Sequence, residues 1–200
     1  MNGDSALRAV LIAAMLMVLP VGVYYRLKSQ STREKLDRRQ EGLFVLATLR
    51  PLGAVFWFGT WAWMINPVWM AWASLPMPLA LRWIGVGWLF AGCTLGVWTF
   101  RSLGRNLTDT VVTRAHHTLV THGPYRWIRH PLYSSAVLVV VAIGLITANW
   151  FLLAVGSGVL SVLILRTRTE EHNLVARFGD SYHQYMSRTG RFVPKIAPLR

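Results

Sequence analysis

The chain has 200 residues, of which 54% are hydrophobic and only 14% are charged. Because a compact soluble domain needs more polar surface than this, the composition excludes an ordinary soluble protein and favours apolar faces in contact with lipid. The formal net charge is +13, but the basic residues lie between apolar segments without a nucleic-acid motif, so anionic lipid headgroups are the expected counter-charge. The single cysteine, Cys93, excludes an internal disulfide and a CxxC motif.

Five apolar runs predict five transmembrane helices in an all-α integral membrane protein. The second run is interrupted by Arg50-Pro51 near one end and by Asn66-Pro67 near the other, and the last two runs are close enough to form a tight helical hairpin. We expect one domain over residues 1–200, with three N-terminal spans in residues 1–100 and a catalytic half in residues 101–200. The runs are Ala9 to Tyr25, about Pro51 to Ala73, Leu79 to Phe100, Leu132 to Ile146 and Trp150 to Leu165.

The distribution of lysine and arginine predicts the orientation in the membrane. Residues 26–41, 101–131 and 166–200 together hold 18 of the 21 basic residues, whereas the alternate connections 66–80 and 147–149 hold no charge. Since cytoplasmic loops carry the positive excess, five spans place the N-terminus outside and the C-terminus in the cytoplasm. Any chemistry is then expected on the cytoplasmic side, in residues 101–131 and 166–200.

Two glycine patterns lie inside the third run. Gly92 and Gly96 form a GxxxG pattern, which favours close helix packing within the monomer, with a dimer contact as the alternative. Gly85-Val86-Gly87 also lies in the membrane run, where we interpret it as packing, because no strand precedes it as a dinucleotide-binding fingerprint requires.

The loop before the fourth run is dense in polar and ring-bearing residues. His116 to Tyr133 contains four histidines, two prolines, one glycine and two tyrosines, and Pro131 stands where the first turn of a helix tolerates proline. Such a segment can present backbone N–H groups and ring edges to a polar ligand, although an ordinary loop meeting lipid headgroups is the alternative. The histidine spacing argues against a metal site, because no HxxxH pair shares a helical face.

A second polar motif follows the fifth run. Arg166 and Glu170 are four residues apart and share a helical face, and Glu170-Glu171 is a carboxylate pair in a basic tail. This motif is either a surface ion pair or a site for a ligand with a cationic and an anionic end. Beyond it, the near-helical spacing of apolar residues around Gly179-Asp180 predicts two short amphipathic helices on the membrane surface that cover the site. Those residues are Leu174, Phe178, Tyr182, Tyr185 and Met186.

These two motifs, in this order, resemble the isoprenylcysteine carboxyl methyltransferase family. The resemblance covers roughly residues 101–195, about half the chain, and the N-terminal spans match only as hydrophobic segments. It implies a methyltransferase that binds S-adenosylmethionine in the cytoplasmic loop and the C-terminal helices. The residues that carry it are His117-Thr118-Leu119-Val120, Gly123, Tyr125, Arg129-His130-Pro131-Leu132-Tyr133, Arg166, Glu170-Glu171, Phe178-Gly179-Asp180, Tyr182 and Tyr185.

Carried over by residue, the resemblance implies a role for each motif. Glu170 joins the loop residues that contact the cofactor, and Arg166 is the catalytic position that engages the acceptor carboxylate. One departure is visible: the eukaryotic members have a cofactor-contacting glutamine where this chain has Thr110, so the adenine or ribose end of the site is expected to differ. The implied cofactor-binding residues are His117, Thr118, Leu119, Val120, Tyr125, His130, Pro131, Leu132, Tyr133 and Glu170.

The resemblance implies carboxyl O-methylation of an isoprenylcysteine-like or other lipidic acid that enters from the bilayer. A phospholipid or amine N-methyltransferase is the nearest alternative, but an amine acceptor needs proton removal and gains nothing from Arg166. An NADPH-dependent enzyme similar to sterol reductases is a further alternative, disfavoured by the short tail. A small scaffold or assembly factor is the alternative outside enzymology, and it needs none of these polar residues.

Overall fold

A computed structural model describes residues 3–30, 43–104 and 119–195 of the protein. Apart from two isolated backbone bridges, the regular elements in these ranges are helical. Short 3₁₀ helices cover Pro67–Ala73 and Gly123–Arg126. The α-helices are α1 (Gly3–Gln30), α2 (Leu43–Ile65), α3 (Leu79–Leu103), α4 (Pro131–Thr147), α5 (Trp150–Phe178) and α6 (Asp180–Arg188).

Contacts along the long helices fix their directions. Gly3 lies against Leu79, and the rings of Tyr25 and Phe100 stack with their centroids 6.2 Å apart, so α1 and α3 run parallel. The other neighbours run antiparallel, α2 with α5 and α3 with α4, as the glycine contacts along each pair show. The bundle therefore has two ends. The hairpin end contains Gly3, Ile65, Leu79, Thr147 and Trp150, and the site end contains Leu103, Pro131 and Arg166.

A glycine stripe on α3 lets α4 approach closely. A Cβ atom on Gly92 would lie 2.9 Å from Val139 Cγ2, and one on Gly96 would lie 2.9 Å from Ser135 Oγ. Gly85 faces α4 in the same way, whereas a Cβ on Gly87 would meet nothing within 4 Å. Small residues at a helix interface allow such backbone approach. The expected packing role of GxxxG within the monomer is confirmed.

Three helices in the described residues are long and apolar enough to cross a bilayer. They are Gly3–Tyr25, Leu79–Leu103 and Trp150–Phe178. The apolar helix Pro131–Thr147 is shorter, at 17 residues. The all-helical membrane architecture is thus confirmed, and the number of five spans stays a prediction.

The second helix differs from the predicted span at both ends. α2 begins at Leu43 and continues through Pro51, then ends at Ile65 and not at Ala73. The end has a local cause, because the Asn66 side chain accepts a hydrogen bond from Val68 N at 3.0 Å and caps the following 3₁₀ helix. Residues 67–73 therefore leave the α-helical path at the hairpin end.

The hairpin connection is held by one asparagine. Ala148 adopts a left-handed conformation (φ 46°) that ends α4, and Asn149 caps α5 by accepting from Leu152 N at 3.0 Å. The same side chain donates to Met70 O at 3.1 Å. Asn149 thereby joins the hairpin to the 3₁₀ helix that follows α2.

The C-terminal region also differs from prediction. The first of the two expected short helices, with Leu174 and Phe178, is the continuation of α5, and only α6 is separate. A helix of 29 residues is roughly 43 Å long, so it outruns a hydrocarbon core of about 30 Å. Gly179, at φ 53°, makes the turn into α6. Tyr182 and Tyr185 on α6 are buried in the protein instead of facing lipid.

Candidate active site

Two motifs that are distant in sequence meet at the site end of the bundle. Tyr133, in the first turn of α4, donates its hydroxyl hydrogen to Glu170 Oε2 on α5 at 2.9 Å. The Nδ1 atom of His130 lies 3.9 Å from the same oxygen. The His130 and Tyr133 rings stack nearly parallel, with centroids 5.4 Å apart and 7° between their planes. One carboxylate, one phenol and one imidazole thus share a small volume where α4 begins.

The neighbouring carboxylate, Glu171, is buried and fully engaged. Its Oε1 atom accepts from Arg129 Nε at 2.9 Å and lies 3.1 Å from His130 Nε2, while Oε2 accepts from Arg191 at 2.7 Å. Glu171 lies beyond the apolar stretch of α5 that ends at Leu165. Burial by itself raises the pKa of its carboxyl, but the hydrogen bonds from His130 and Arg129 outweigh burial and lower that pKa to about 2. Glu171 is therefore ionised at neutral pH.

The chain after α6 returns to this place and closes one side of it. Gly190 and Arg191 accept backbone hydrogen bonds from Arg129 N at 2.9 Å and His130 N at 3.0 Å. Arg129 also donates to the carbonyls of Met186 (3.3 Å) and Thr189 (2.5 Å). The segment 189–192, which we call the strap, is fixed to residues 127–130 by both main-chain and side-chain bonds.

Tyrosines from α6 line the other side. Tyr185 donates its hydroxyl hydrogen to the Tyr125 carbonyl at 2.7 Å, which holds α6 against the 3₁₀ helix Gly123–Arg126. Burial raises the pKa of the Tyr125 hydroxyl well above its usual range, and the negative charge of Glu170 adds to this rise. Tyr125 is therefore a neutral phenol near Glu170.

Arg166 lies one helical turn before Glu170 on α5 and is half-buried. Because residues four apart share a helical face, Arg166 and Glu170 occupy neighbouring turns on one side of α5. A cation and a carboxylate so placed suit a ligand or ligand pair carrying both signs of charge.

The two adjacent glutamates differ in exposure and in the number of their hydrogen-bond partners. The Glu171 side chain is 11% exposed and holds three partners, whereas the Glu170 side chain is 31% exposed and accepts from Tyr133. Glu170 is therefore the carboxylate with room for a cationic group from outside the chain. Among the described residues, no group of three or more His, Cys, Asp or Glu is placed to hold a metal ion.

Five of the predicted site residues lie together at the site end of the bundle. They are Tyr125, His130, Tyr133, Arg166 and Glu170. Of the four other residues that the structure describes, Pro131 is buried and Leu132 is half-buried between His130 and Tyr133 at the start of α4, while Val120 is buried and Leu119 is half-buried. His117, Thr118 and the departure at Thr110 lie outside the described residues.

Sequence reasoning missed three residues that hold this site. Arg129 and Glu171 each adjoin a predicted site residue, and Glu171 is the second member of the carboxylate pair, so adjacency was an available signal. Arg191 carries no comparable signal, since it is one basic residue in a basic tail. Its role depends on the strap turning back toward α4.

Comparison with known proteins gives a consistent result. A sequence model of the isoprenylcysteine carboxyl methyltransferase (ICMT) family matches residues 83–176, which include most of α3, all of α4 and most of α5. Protein-S-isoprenylcysteine O-methyltransferase of Schizosaccharomyces pombe is 31% identical over 114 residues, 56% of this chain and 48% of that protein. Cobalt-zinc-cadmium resistance protein CzcN of Cupriavidus metallidurans is 29% identical over 183 residues, 90% of this chain and 73% of that protein.

A solved structure shares the fold. The eukaryotic intramembrane Ras methyltransferase, an isoprenylcysteine carboxyl methyltransferase, superimposes with a TM-score of 0.56 at 24% identity, covering 73% of this chain and 53% of that one. The chain spans about half the length of this structure and of the S. pombe relative.

Proposed function

Since the chain belongs to the isoprenylcysteine carboxyl methyltransferase family, we propose that it transfers a methyl group from S-adenosylmethionine to a carboxylate on a lipidic acceptor. The acceptor class is an isoprenylcysteine-like or other hydrophobic acid, and the reaction takes place at the cytoplasmic face of the membrane. The observation that carries the proposal is the Tyr133–Glu170 hydrogen bond of 2.9 Å. It brings the loop motif and the α5 motif, 37 residues apart, to one place.

The residues present fit this cofactor by their chemistry. S-adenosylmethionine carries an α-ammonium group, and Glu170 is a partly exposed carboxylate that keeps acceptor capacity beside Tyr133. A charge-assisted hydrogen bond of this kind is roughly twice as strong as a neutral one. In the proposal, Glu170 binds the ammonium group, and His130, Tyr133 and Tyr125 line the same site. Pro131, Leu132, Leu119 and Val120 shape its walls, and His117 and Thr118, which lie outside the described residues, are proposed to complete it.

The reaction needs alignment more than acid–base chemistry. When bound, the sulfonium would supply an activated methyl group to a carboxylate oxygen of the acceptor. The new C–O bond would replace the C–S bond, whose electron pair would stay on sulfur, so the chain would have no proton to move. The acceptor is already ionised at neutral pH. What the chain must provide is orientation, because holding the reacting atoms in line is the main source of rate in such a displacement.

Arg166 is proposed to orient the acceptor. A guanidinium can hold a carboxylate with two parallel hydrogen bonds, which fixes direction as well as position. Arg166 stands on the same face of α5 as Glu170, one turn closer to the apolar stretch. Acceptor and cofactor would thus be held by neighbouring turns of one helix, with the lipid chain of the acceptor reaching the site from the bilayer.

The membrane arrangement proposed with this function has five spans in one domain of residues 1–200. All five long helices α1 to α5 run between the same two ends of the bundle. Eighteen of the 21 basic residues lie in segments adjoining the site end, which supports a cytoplasmic site and C-terminus and an external N-terminus.

The direct test is ligand-induced stabilisation of the purified protein in detergent. A ligand that binds only the folded state raises its melting temperature, and the rise grows with the logarithm of ligand concentration divided by the dissociation constant. We expect S-adenosylhomocysteine to raise the melting temperature and NADPH to leave it unchanged. The reverse result would reject the methyltransferase in favour of a nicotinamide-dependent enzyme. Turnover is then measured with S-farnesylated and S-geranylgeranylated cysteine analogues and, for the amine alternative, phosphatidylethanolamine.

A further inference from the structure

The bonding of Glu171 determines where the proton of His130 lies. Glu171 Oε1 is 3.1 Å from His130 Nε2, within hydrogen-bond distance. The carboxylate also accepts from Arg129 at 2.9 Å and Arg191 at 2.7 Å. An ionised carboxylate can only accept hydrogen bonds. The short contact therefore requires that Nε2 carries a hydrogen.

The other ring nitrogen faces the proposed ligand site. In a neutral imidazole with hydrogen on Nε2, Nδ1 has a lone pair and only accepts. Nδ1 lies 3.9 Å from Glu170 Oε2, which is too long for a direct hydrogen bond between them. Two acceptors at this separation repel each other weakly, and a single donor placed between them can bond to both.

We propose that Glu171 is a positioning residue that fixes His130 in the Nε2–H tautomer, so that Nδ1 and Glu170 form a paired acceptor for one donor group of the ligand. The inference rests on the proposed function and deepens it. The donor class is a primary ammonium, which has three N–H bonds to divide between a carboxylate and an imidazole lone pair. Stacking of the His130 ring on Tyr133 keeps the imidazole plane in place.

Glu171 also holds the strap through Arg191, so its two roles must be separated. Arg191→Ala removes the side-chain bond between the strap and Glu171, and with it one cation, but leaves the Glu171–His130 contact. Glu171→Gln keeps the shape of the side chain and replaces the carboxylate with an amide that can either donate or accept. The comparison of these two variants separates the effect of the Glu171 carboxylate on the His130 ring from its effect on the strap.

The measurement is the ¹⁵N chemical shift of the His130 ring nitrogens, which separates a protonated from a bare nitrogen. Uniformly ¹⁵N-histidine-labelled full-length protein is used at neutral pH in detergent micelles, without ligand, and His130→Gln assigns the signals. We expect a protonated Nε2 and a bare Nδ1 in the wild type and in Arg191→Ala, and a mixture of tautomers in Glu171→Gln. We also expect the dissociation constant of S-adenosylhomocysteine to rise about tenfold in Glu171→Gln and less than about threefold in Arg191→Ala.

A protonated Nδ1 in the wild type would overturn the proposal. Because this result comes from the wild-type spectrum alone, it tests the proposal even if Glu171→Gln fails to fold. Equal losses of affinity in both variants with an unchanged tautomer would also overturn it, because Glu171 would then act only through the strap. Failure of the proposed function gives a different result. In that case wild-type protein does not bind S-adenosylhomocysteine, while the spectra without ligand still report whether Glu171 sets the tautomer.

Discussion

The two ends of the bundle use charged side chains differently. At the hairpin end, Arg8 donates to the carbonyls of Met64 and Ile65 at 2.9 and 2.7 Å, and Arg82 donates to the Ile146 carbonyl at 2.9 Å. These carbonyls belong to the last turns of α2 and α4, where helix geometry leaves them without a partner in the helix. The arginines there complete the backbone hydrogen bonding of helices.

At the site end, charged groups exceed what the backbone requires. Glu170 and Glu171 bind side chains, Tyr133 in one case and three basic groups in the other, and neither caps a helix end.

Arginines that donate to the carbonyls of helix ends stabilise the fold, and this role is a sufficient reason for their presence. The ion pair at the hairpin end joins Arg82 to an exposed carboxylate, Asp4, whereas Arg129, His130 and Glu171 at the site end are bonded to one another in buried positions. Stability of helix ends does not account for these buried charges, and the proposed binding of cofactor and acceptor would account for them. The predictions below test this division, from the largest effect to the smallest.

Arg166→Ala is expected to reduce turnover of a prenylcysteine acceptor by about a hundredfold. Loss of a two-bond grip on a carboxylate removes ~3 kcal/mol, while binding of S-adenosylhomocysteine changes little. Arg166→Lys should recover little activity, because an ammonium cannot reproduce the planar pair of bonds. The exposed Arg168 on the same helix provides the control, Arg168→Ala, which should keep its turnover.

An amine acceptor gives the opposite result for the same variants. A protonated amine is repelled by Arg166, so Arg166→Ala would be neutral or activating with phosphatidylethanolamine. Full activity of Arg166→Ala on the prenylcysteine would reject the proposed carboxylate grip.

Glu170→Gln is expected to weaken binding of S-adenosylhomocysteine by roughly ten- to a hundredfold. The change is nearly isosteric but removes one charge-assisted hydrogen bond, which contributes ~1.5–3 kcal/mol. Titration calorimetry in detergent measures it. Asp180→Asn removes an exposed carboxylate at the same end and is the matched control. Wild-type affinity in folded Glu170→Gln would remove Glu170 from the site.

Arg82→Ala is expected to lower stability without changing cofactor affinity. The variant leaves the Ile146 carbonyl without its donor, which costs ~1–3 kcal/mol, while the ion pair to the exposed Asp4 adds little. Arg101→Ala, at an exposed position of the same helix, should be close to neutral. The free energy of unfolding in detergent is measured for both. A large loss of cofactor affinity in Arg82→Ala would break the division between the two ends.

Labelling of single cysteines shows which end faces the cytoplasm, with no expected change in stability. In a Cys93→Ala background, Ser181→Cys at the site end should react with an impermeant thiol reagent only from the cytoplasmic side. Ser74→Cys at the hairpin end should react only from outside. Both serines are exposed, so accessibility to the reagent is matched. Labelling of Ser181→Cys in intact cells would reverse the proposed topology.

The sequence predicted regular features well where one physical rule decides the outcome. Apolar runs located the helices α1, α3, α4 and α5, and the GxxxG pattern located the α3–α4 contact. Pro51 was given too much weight as a helix boundary, because α2 begins eight residues before it at Leu43 and continues through it, so the proline removes one hydrogen bond inside the helix without ending it. Around Gly179, periodicity could not distinguish a new helix from the extension of α5, since both have the same spacing.

What the sequence by itself determined is the membrane character, the charge asymmetry and the two motifs of the candidate site, because these follow from composition and local spacing. What only the tertiary structure decided is which groups meet. Glu170 is bonded to Tyr133 and Glu171 to His130, although the two glutamates are adjacent and chemically identical. Successive residues on a helix point about 100° apart, so their partners depend on how α4 and the strap pack around α5. Arg191 belongs to the site for the same reason, because only the folded chain returns residues 189–192 to the start of α4.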